Sequence, residues 1–220
     1  MTRDWARWHD DYDNPSSSLS TRLAIVQAHL ADAITAAPPG QVRLVSLCAG
    51  QGHDVLGVLP GHPRRDDVAA VLVELEPRNV RLAAARAVQA GLAGIEVREA
   101  DAGLIASYAD ELPADVLLLC GIFGNVSDGD IRRTVANVPA LCAPGGTVIW
   151  TRHRRPPDAT LLIRESLAAA GFDEVAFEAP ETGSTLVGVG VHRRPADPAG
   201  HLLTAIRPDA RLFSFTEAEH

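Results

Sequence analysis

Five short apolar runs, spaced so that a helix fits between most of them, constrain this chain more than any other feature. They occupy residues 43–48, 68–75, 95–100, 116–120 and 147–151. Runs of this length suit buried strands, and the fourth is continuously apolar, as in strands covered on both faces. Helical spacing follows the first run to about residue 59, then covers 77–90, 131–141 and 159–170. Pro77 suits a first helical turn, where no N–H is needed. Gly91, Pro144-Gly145-Gly146 and Gly171 read as stops. Strand and helix repeated in this way predict an α/β fold with a mostly parallel sheet covered by helices.

The rhythm changes after Gly171. Residues 175–179 and 185–192 are strand candidates joined by a turn with Gly183-Ser184. No helix fits between them, so they pair as an antiparallel hairpin. The alternating tail, 211–215, reads as an added edge strand. Ahead of the first run, Leu23, Val26, Leu30, Ala33, Ile34 and Ala37 share one helical face, with serines before them as caps. Trp5, Trp8, His9 and Tyr12 recur at i, i+3, i+4 and i+7. Two readings stand for this stripe: a lid over a pocket, or an apolar face packed on the sheet. The expected division is a helical cap segment over 1–40 and a main domain over 41–220, within one compact unit.

Composition narrows the function. At 220 residues, 46% hydrophobic and 22% charged, the chain has the size and balance of one soluble domain. A net charge of −8 argues against nucleic acid as a partner. No long apolar run predicts a membrane span, and no apolar leader opens the sequence. Cys48, Cys120 and Cys142 form no CxxC pair and no HExxH occurs, so no metal site is expected. Free thiols suit a reducing cytoplasm. The wealth of glycine, proline and alanine is, by association only, that of GC-rich bacterial genomes.

Ligands in parallel sheets bind at the carboxyl ends of the strands. After the first run comes Cys48-Ala49-Gly50-Gln51-Gly52-His53-Asp54. Its glycines permit a sharp turn and close approach of a ligand, and a helix start there offers N–H groups; bland turns look the same. Glu74 follows the second run, 22 positions after Gly52. A carboxylate there accepts from both hydroxyls of a ribose, or is a solvated acid paired with Arg78 or Arg81. Asp101-Ala102 follows the third run: an acceptor for an adenine amine beside a small residue, or a cap for the helix that follows. A dinucleotide fingerprint needs GxGxxG, and Val55 stands where its third glycine would be.

Taken in this order, the features resemble class I S-adenosylmethionine-dependent methyltransferases. The resemblance spans roughly residues 42–192. It rests on Leu44-Val45-Ser46-Leu47-Cys48-Ala49-Gly50-Gln51-Gly52, Val73-Glu74-Leu75-Glu76-Pro77, Glu99-Ala100-Asp101-Ala102, the run from Ala114 to Gly121, and Pro144-Gly145-Gly146. It implies a Rossmann-like three-layer sandwich: a seven-stranded, mostly parallel sheet with an antiparallel last strand, plus N-terminal helices. It implies S-adenosyl-L-methionine as cofactor. Gly50 and Gly52 would lie beneath its methionine portion, with Cys48, Ala49, Gln51 and Asp54 as further cofactor contacts. Glu74 would hold the ribose, Asp101 the adenine amine, and Leu75 and Ala102 the ring faces; Cys120 and Gly121 would lie near the sulfonium. The family motif commonly carries an acid where Ser46 stands and a glycine where Cys48 stands.

The acceptor is less constrained. His153, just after the fifth run, is the expected general base; the alternative is a solvated or substrate-docking loop. Asn125 is the second catalytic candidate, or it stabilises a turn. The Asn/Asp-Pro-Pro-aromatic motif of amide-directed members is absent from Gly121-Ile122-Phe123-Gly124-Asn125-Val126. Trp8, His9, Tyr12, Phe123 and Arg152 are the expected substrate contacts, with Arg152, Arg154 and Arg155 either orienting an anion or forming a charged turn. The reading is a methyltransferase acting on a small molecule at oxygen or nitrogen, possible in specialised metabolism, as monomer or homodimer. A nicotinamide-dependent oxidoreductase and a non-catalytic cofactor-binding subunit stay open beside it.

Overall fold

A computed structural model describes residues 17–180, 187–197 and 207–216. Seven strands form one sheet: β1 (Val42–Leu47), β2 (Val68–Glu74), β3 (Ile95–Glu99), β4 (Ala114–Leu119), β5 (Cys142–His153), β6 (Asp173–Glu178) and β7 (Val187–Arg193). Their order is β3-β2-β1-β4-β5-β7-β6. The first five run parallel, and β7 is antiparallel to both β5 and β6. The chain reverses direction across the sheet between β1 and β4, which leaves a crevice at their carboxyl ends.

The alternation of side chains along each strand builds two cores. Leu44, Leu72, Val116, Leu118 and Ile149 face α1 (Ser18–Ala36), α2 (His53–Val58) and α3 (Pro77–Gln89). Leu47, Val73, Leu117, Leu119 and Trp150 face α4 (Asp128–Leu141) and α5 (Thr160–Ala169). This two-sided burial is why 116–119 reads as unbroken apolar sequence. α1 docks through Val26, Leu30 and Ile34, all fully buried. Its first turn is closed by Ser17, whose Oγ accepts from Ser20 N at 3.0 Å.

Two sequence expectations are corrected. No α-helix follows β3; single 3-10 turns at Ile105–Ser107 and Ala109–Glu111 do the crossing. Asp101 Oδ1 accepts from Gly103 N at 2.8 Å, a local turn that competes with helix, and the fully buried Tyr108 anchors the segment. Nor does the tail extend the sheet. It makes one bridge, Leu104 to Arg211, and buries Leu212 and Phe213 as it crosses from the β3 end toward the β4 end. Its backbone holds that course: Leu212 N donates to Gly103 O and Thr216 N to Asn125 O.

Candidate functional site

A cavity of about 690 Å³ opens at the carboxyl ends of β1, β2, β4 and β5 and at the turn after β3. The turn after β1 forms its floor. Cys48, Gly50 and Gly52 have φ of 55°, 58° and 74°. That region is strained for a side chain, so Cys48 occupies a conformation that favours glycine. Burial first, then the Glu74 and Asp101 charges, push the Cys48 thiol far above its ordinary range, so it stays protonated.

Glu74 holds this turn. Its Oε2 accepts from Gly50 N and its Oε1 from Glu76 N, both at 2.8 Å. The carboxylate is 9% exposed and still borders the cavity. Leu75 beside it is 66% exposed, an uncovered apolar side chain on the cavity wall. Across the cavity stand Ala102 and Asp101, the latter paired with Arg211 Nη1 at 2.9 Å. Asp54, from the first turn of α2, also lines the space. Burial raises its pKa, opposed by the Arg22 charge and a bond with the Cys120 thiol.

Cys120 and Gly121 continue the wall beyond β4. Gly121 N donates to Thr151 Oγ1 at 3.0 Å, tying this turn to β5. Asn125 Nδ2 donates to Gly121 O at 2.8 Å, so that amide braces the turn while the residue borders the cavity. Arg152 and His153 close the β5 side. Arg152 Nη1 donates to His153 Nε2. A guanidinium cannot accept, so that nitrogen must carry the ring's lone pair and Nδ1 the proton. Burial and the Arg152 charge lower the His153 pKa, keeping the ring neutral.

Thirteen of the expected cofactor, catalytic and substrate positions therefore border one space: Cys48, Ala49, Gly50, Asp54, Glu74, Leu75, Asp101, Ala102, Cys120, Gly121, Asn125, Arg152 and His153. Three do not. Phe123 is fully buried, edge-on to Trp150 with centroids 6.2 Å apart, and belongs to the core. Gln51 turns inward, its Nε2 donating to Asn79 Oδ1 at 3.4 Å. Gly52 faces Leu56 and Leu72, where an added Cβ would lie 2.8 Å and 3.0 Å from their methyls. His153, the expected base, borders the cavity with Arg152 Nη1 against its Nε2. Trp8, His9 and Tyr12 lie outside the described residues.

Sequence reasoning missed Arg22, Arg211 and Phe215, which also border the cavity. Arg211 lies 110 positions after Asp101 in the chain, so no local pattern could pair them. The only available signal was the alternation over 211–215, which marks a chain segment with one face covered.

No family model matches the sequence, and no curated protein matches it. Solved structures do match. An O-methyltransferase family protein from Burkholderia thailandensis superposes with TM-score 0.66 at 16% identity, over 87% of this chain. This chain spans only 60% of that protein's length. Magnesium protoporphyrin IX methyltransferase (ChlM) from Synechocystis PCC 6803, solved with bound SAM, gives 0.65 at 12% identity, over 86% of this chain and 89% of that one. The [4+2]-cyclase SpnF gives 0.54 at 18% identity, over 77% and 81%. These likenesses establish the fold, that of class I methyltransferases.

Proposed function

We propose that this chain binds S-adenosylmethionine in the cavity and transfers its methyl group to a small-molecule acceptor at oxygen or nitrogen. One observation carries the reading. The glycine turn and two separate carboxylates, Glu74 and Asp101, border a single space of a size suited to small ligands.

The residues fit the cofactor. Each oxygen of Glu74 accepts one backbone N–H and keeps a lone pair for a ribose hydroxyl. Asp101 is partly exposed beside Ala102, with capacity for an amine donor. Exposed Leu75 offers an apolar face to a flat ring. Asp54 is placed for an ammonium and Arg22 for a carboxylate. The cofactor supplies a methyl group already activated on a sulfonium. The chain's contribution is then position: Cys120, Gly121 and Thr151 define where the acceptor meets that methyl, and holding two reactants in line removes much of the barrier. The acidic charge of the chain supports a small acceptor over nucleic acid.

Calorimetry with S-adenosylhomocysteine tests this. We expect saturable binding to the wild type and about tenfold weaker binding to Asp101→Asn, which loses one charge-assisted bond. Absence of binding, or uptake of NADH in its place, overturns the proposal. A non-catalytic subunit would bind the product and methylate nothing across a broad acceptor panel.

A further inference from the structure

Two distant parts of the chain meet at the β3 end of the cavity. Asp101 follows β3, and Arg211 reaches it from the tail, Nη1 to Oδ2 at 2.9 Å. Backbone bonds on both sides seat this arginine. Ala106 N donates to Pro208 O at 2.9 Å, Ile105 N to Ala210 O at 3.2 Å, and Leu212 N to Gly103 O at 2.7 Å. The next two side chains, Leu212 and Phe213, are buried. Gly103 lets the segments approach: an added Cβ would lie 2.4 Å from Phe213 O and 3.2 Å from Arg211 Nη1.

Both members of the ion pair stay open to the cavity, with the Arg211 and Asp101 side chains 42% and 37% exposed. Asp101 Oδ1 accepts from Gly103 N and Oδ2 from Arg211, which leaves each oxygen a lone pair. Arg211 Nη1 serves Asp101 and, at 3.4 Å, Phe213 O. Its Nη2 and Nε make no hydrogen bond among the described residues. An ion pair this exposed adds little to stability. It does place a hydrogen-bond acceptor and a hydrogen-bond donor side by side on the cavity wall. An adenine edge carries the complementary pattern, an amine donor next to a ring-nitrogen acceptor.

We propose that Arg211 belongs to the adenine subsite and donates to the ring nitrogen beside the amine that Asp101 accepts from. The ring is then held at two points of one edge, by one residue after β3 and one from the tail. Bound adenine shields the pair from water, and in that lower dielectric each charge-assisted bond is stronger. The proposal rests on the methyltransferase reading for the identity of the ligand, and it is measured by binding, without turnover.

Calorimetry on the whole chain compares S-adenosylhomocysteine with its 1-deaza and 7-deaza analogues, in which a C–H replaces one of the ring nitrogens beside the amine. Arg211→Met keeps the stem and removes the donors. It should weaken S-adenosylhomocysteine about tenfold, as for one charge-assisted bond. It should weaken one of the two analogues by less than about twofold, because that analogue has already lost the acceptor. Arg211→Lys, which keeps one donor group and loses the fork, should fall between wild type and Arg211→Met. The urea midpoint of Arg211→Met should stay close to that of the wild type, which separates a lost contact from a lost fold. Equal weakening of all three ligands would make Arg211 a brace for Asp101 alone and overturn the proposal. Unchanged affinity would overturn it too, as would tighter binding, which would mark Arg211 as a competitor of the amine for Asp101. Failure of the wild type to bind S-adenosylhomocysteine would strike the methyltransferase reading itself, and this proposal with it.

Discussion

Replacing Glu74 by glutamine removes one oxygen and changes little else, and it strikes the residue that joins the turn to the cavity. In the native chain both oxygens accept backbone N–H groups at 2.8 Å, from Gly50 and from Glu76. A glutamine has one carbonyl oxygen and one NH2. Whichever way it turns, one N–H finds another donor opposite it. The change therefore removes a charge-assisted bond, about 1.5–3 kcal/mol, and leaves a buried donor unpaired, about 1–3 kcal/mol. These overlap, and we expect a net loss of roughly 2–4 kcal/mol, read from urea unfolding. The affinity for S-adenosylhomocysteine should fall about 30- to 300-fold, since the ribose hydroxyls lose the charged acceptor and the turn loses its brace. An analogue without the 2′-hydroxyl should suffer less from the substitution than the parent, because part of the interaction is already gone. A variant that binds both compounds as the wild type does, or unfolds at the same urea concentration, would refute this account of Glu74.

Two further predictions concern the sheet. His192 is buried beside Trp150, whose Nε1–H donates to its Nδ1 at 3.3 Å, and burial lowers its pKa from 6.5 to about 4. Unfolding at low pH therefore takes up a proton. Stability from this group is complete above pH 6.5 and is lost as pH falls toward 4, by roughly 3 kcal/mol. Urea unfolding between pH 7 and 4.5 should show a steeper fall for the wild type than for His192→Gln; parallel curves contradict it. Gly190→Ala would drive a Cβ into the indole of Trp150. That ring is fully buried and has no room to retreat, so the substitution should cost about 1–3 kcal/mol; an unchanged urea midpoint would show that the ring moves.

Much of this arrangement follows from local pattern. The runs ending near Cys48, Leu75, Ala100, Cys120 and Thr151 are strands because burial on one or both faces leaves a readable signature. Turn chemistry placed the glycines, and the end of each strand placed its acid. Boundaries were less legible. β5 begins at Cys142 rather than near 147: the helix ends at Leu141, Cys142 already pairs with Ala114, and Pro144-Gly145-Gly146 forms an irregularity inside the strand before pairing resumes between Thr147 and Val116. The short turns after β3 defeated the expectation of a helix through a side-chain bond invisible to periodicity.

The amino-acid order alone determined the layered sheet and the positions of Gly50, Glu74 and Asp101 on it, because strand alternation and strand ends are properties of neighbours in the chain. Tertiary packing decided what those neighbours could not encode. It turned Phe123 and Gln51 inward, laid the tail and Arg211 against Asp101, and set Arg152 on the only lone pair of His153. Each of these depends on which group a side chain meets once the chain is folded, and periodicity along the sequence carries no record of that meeting.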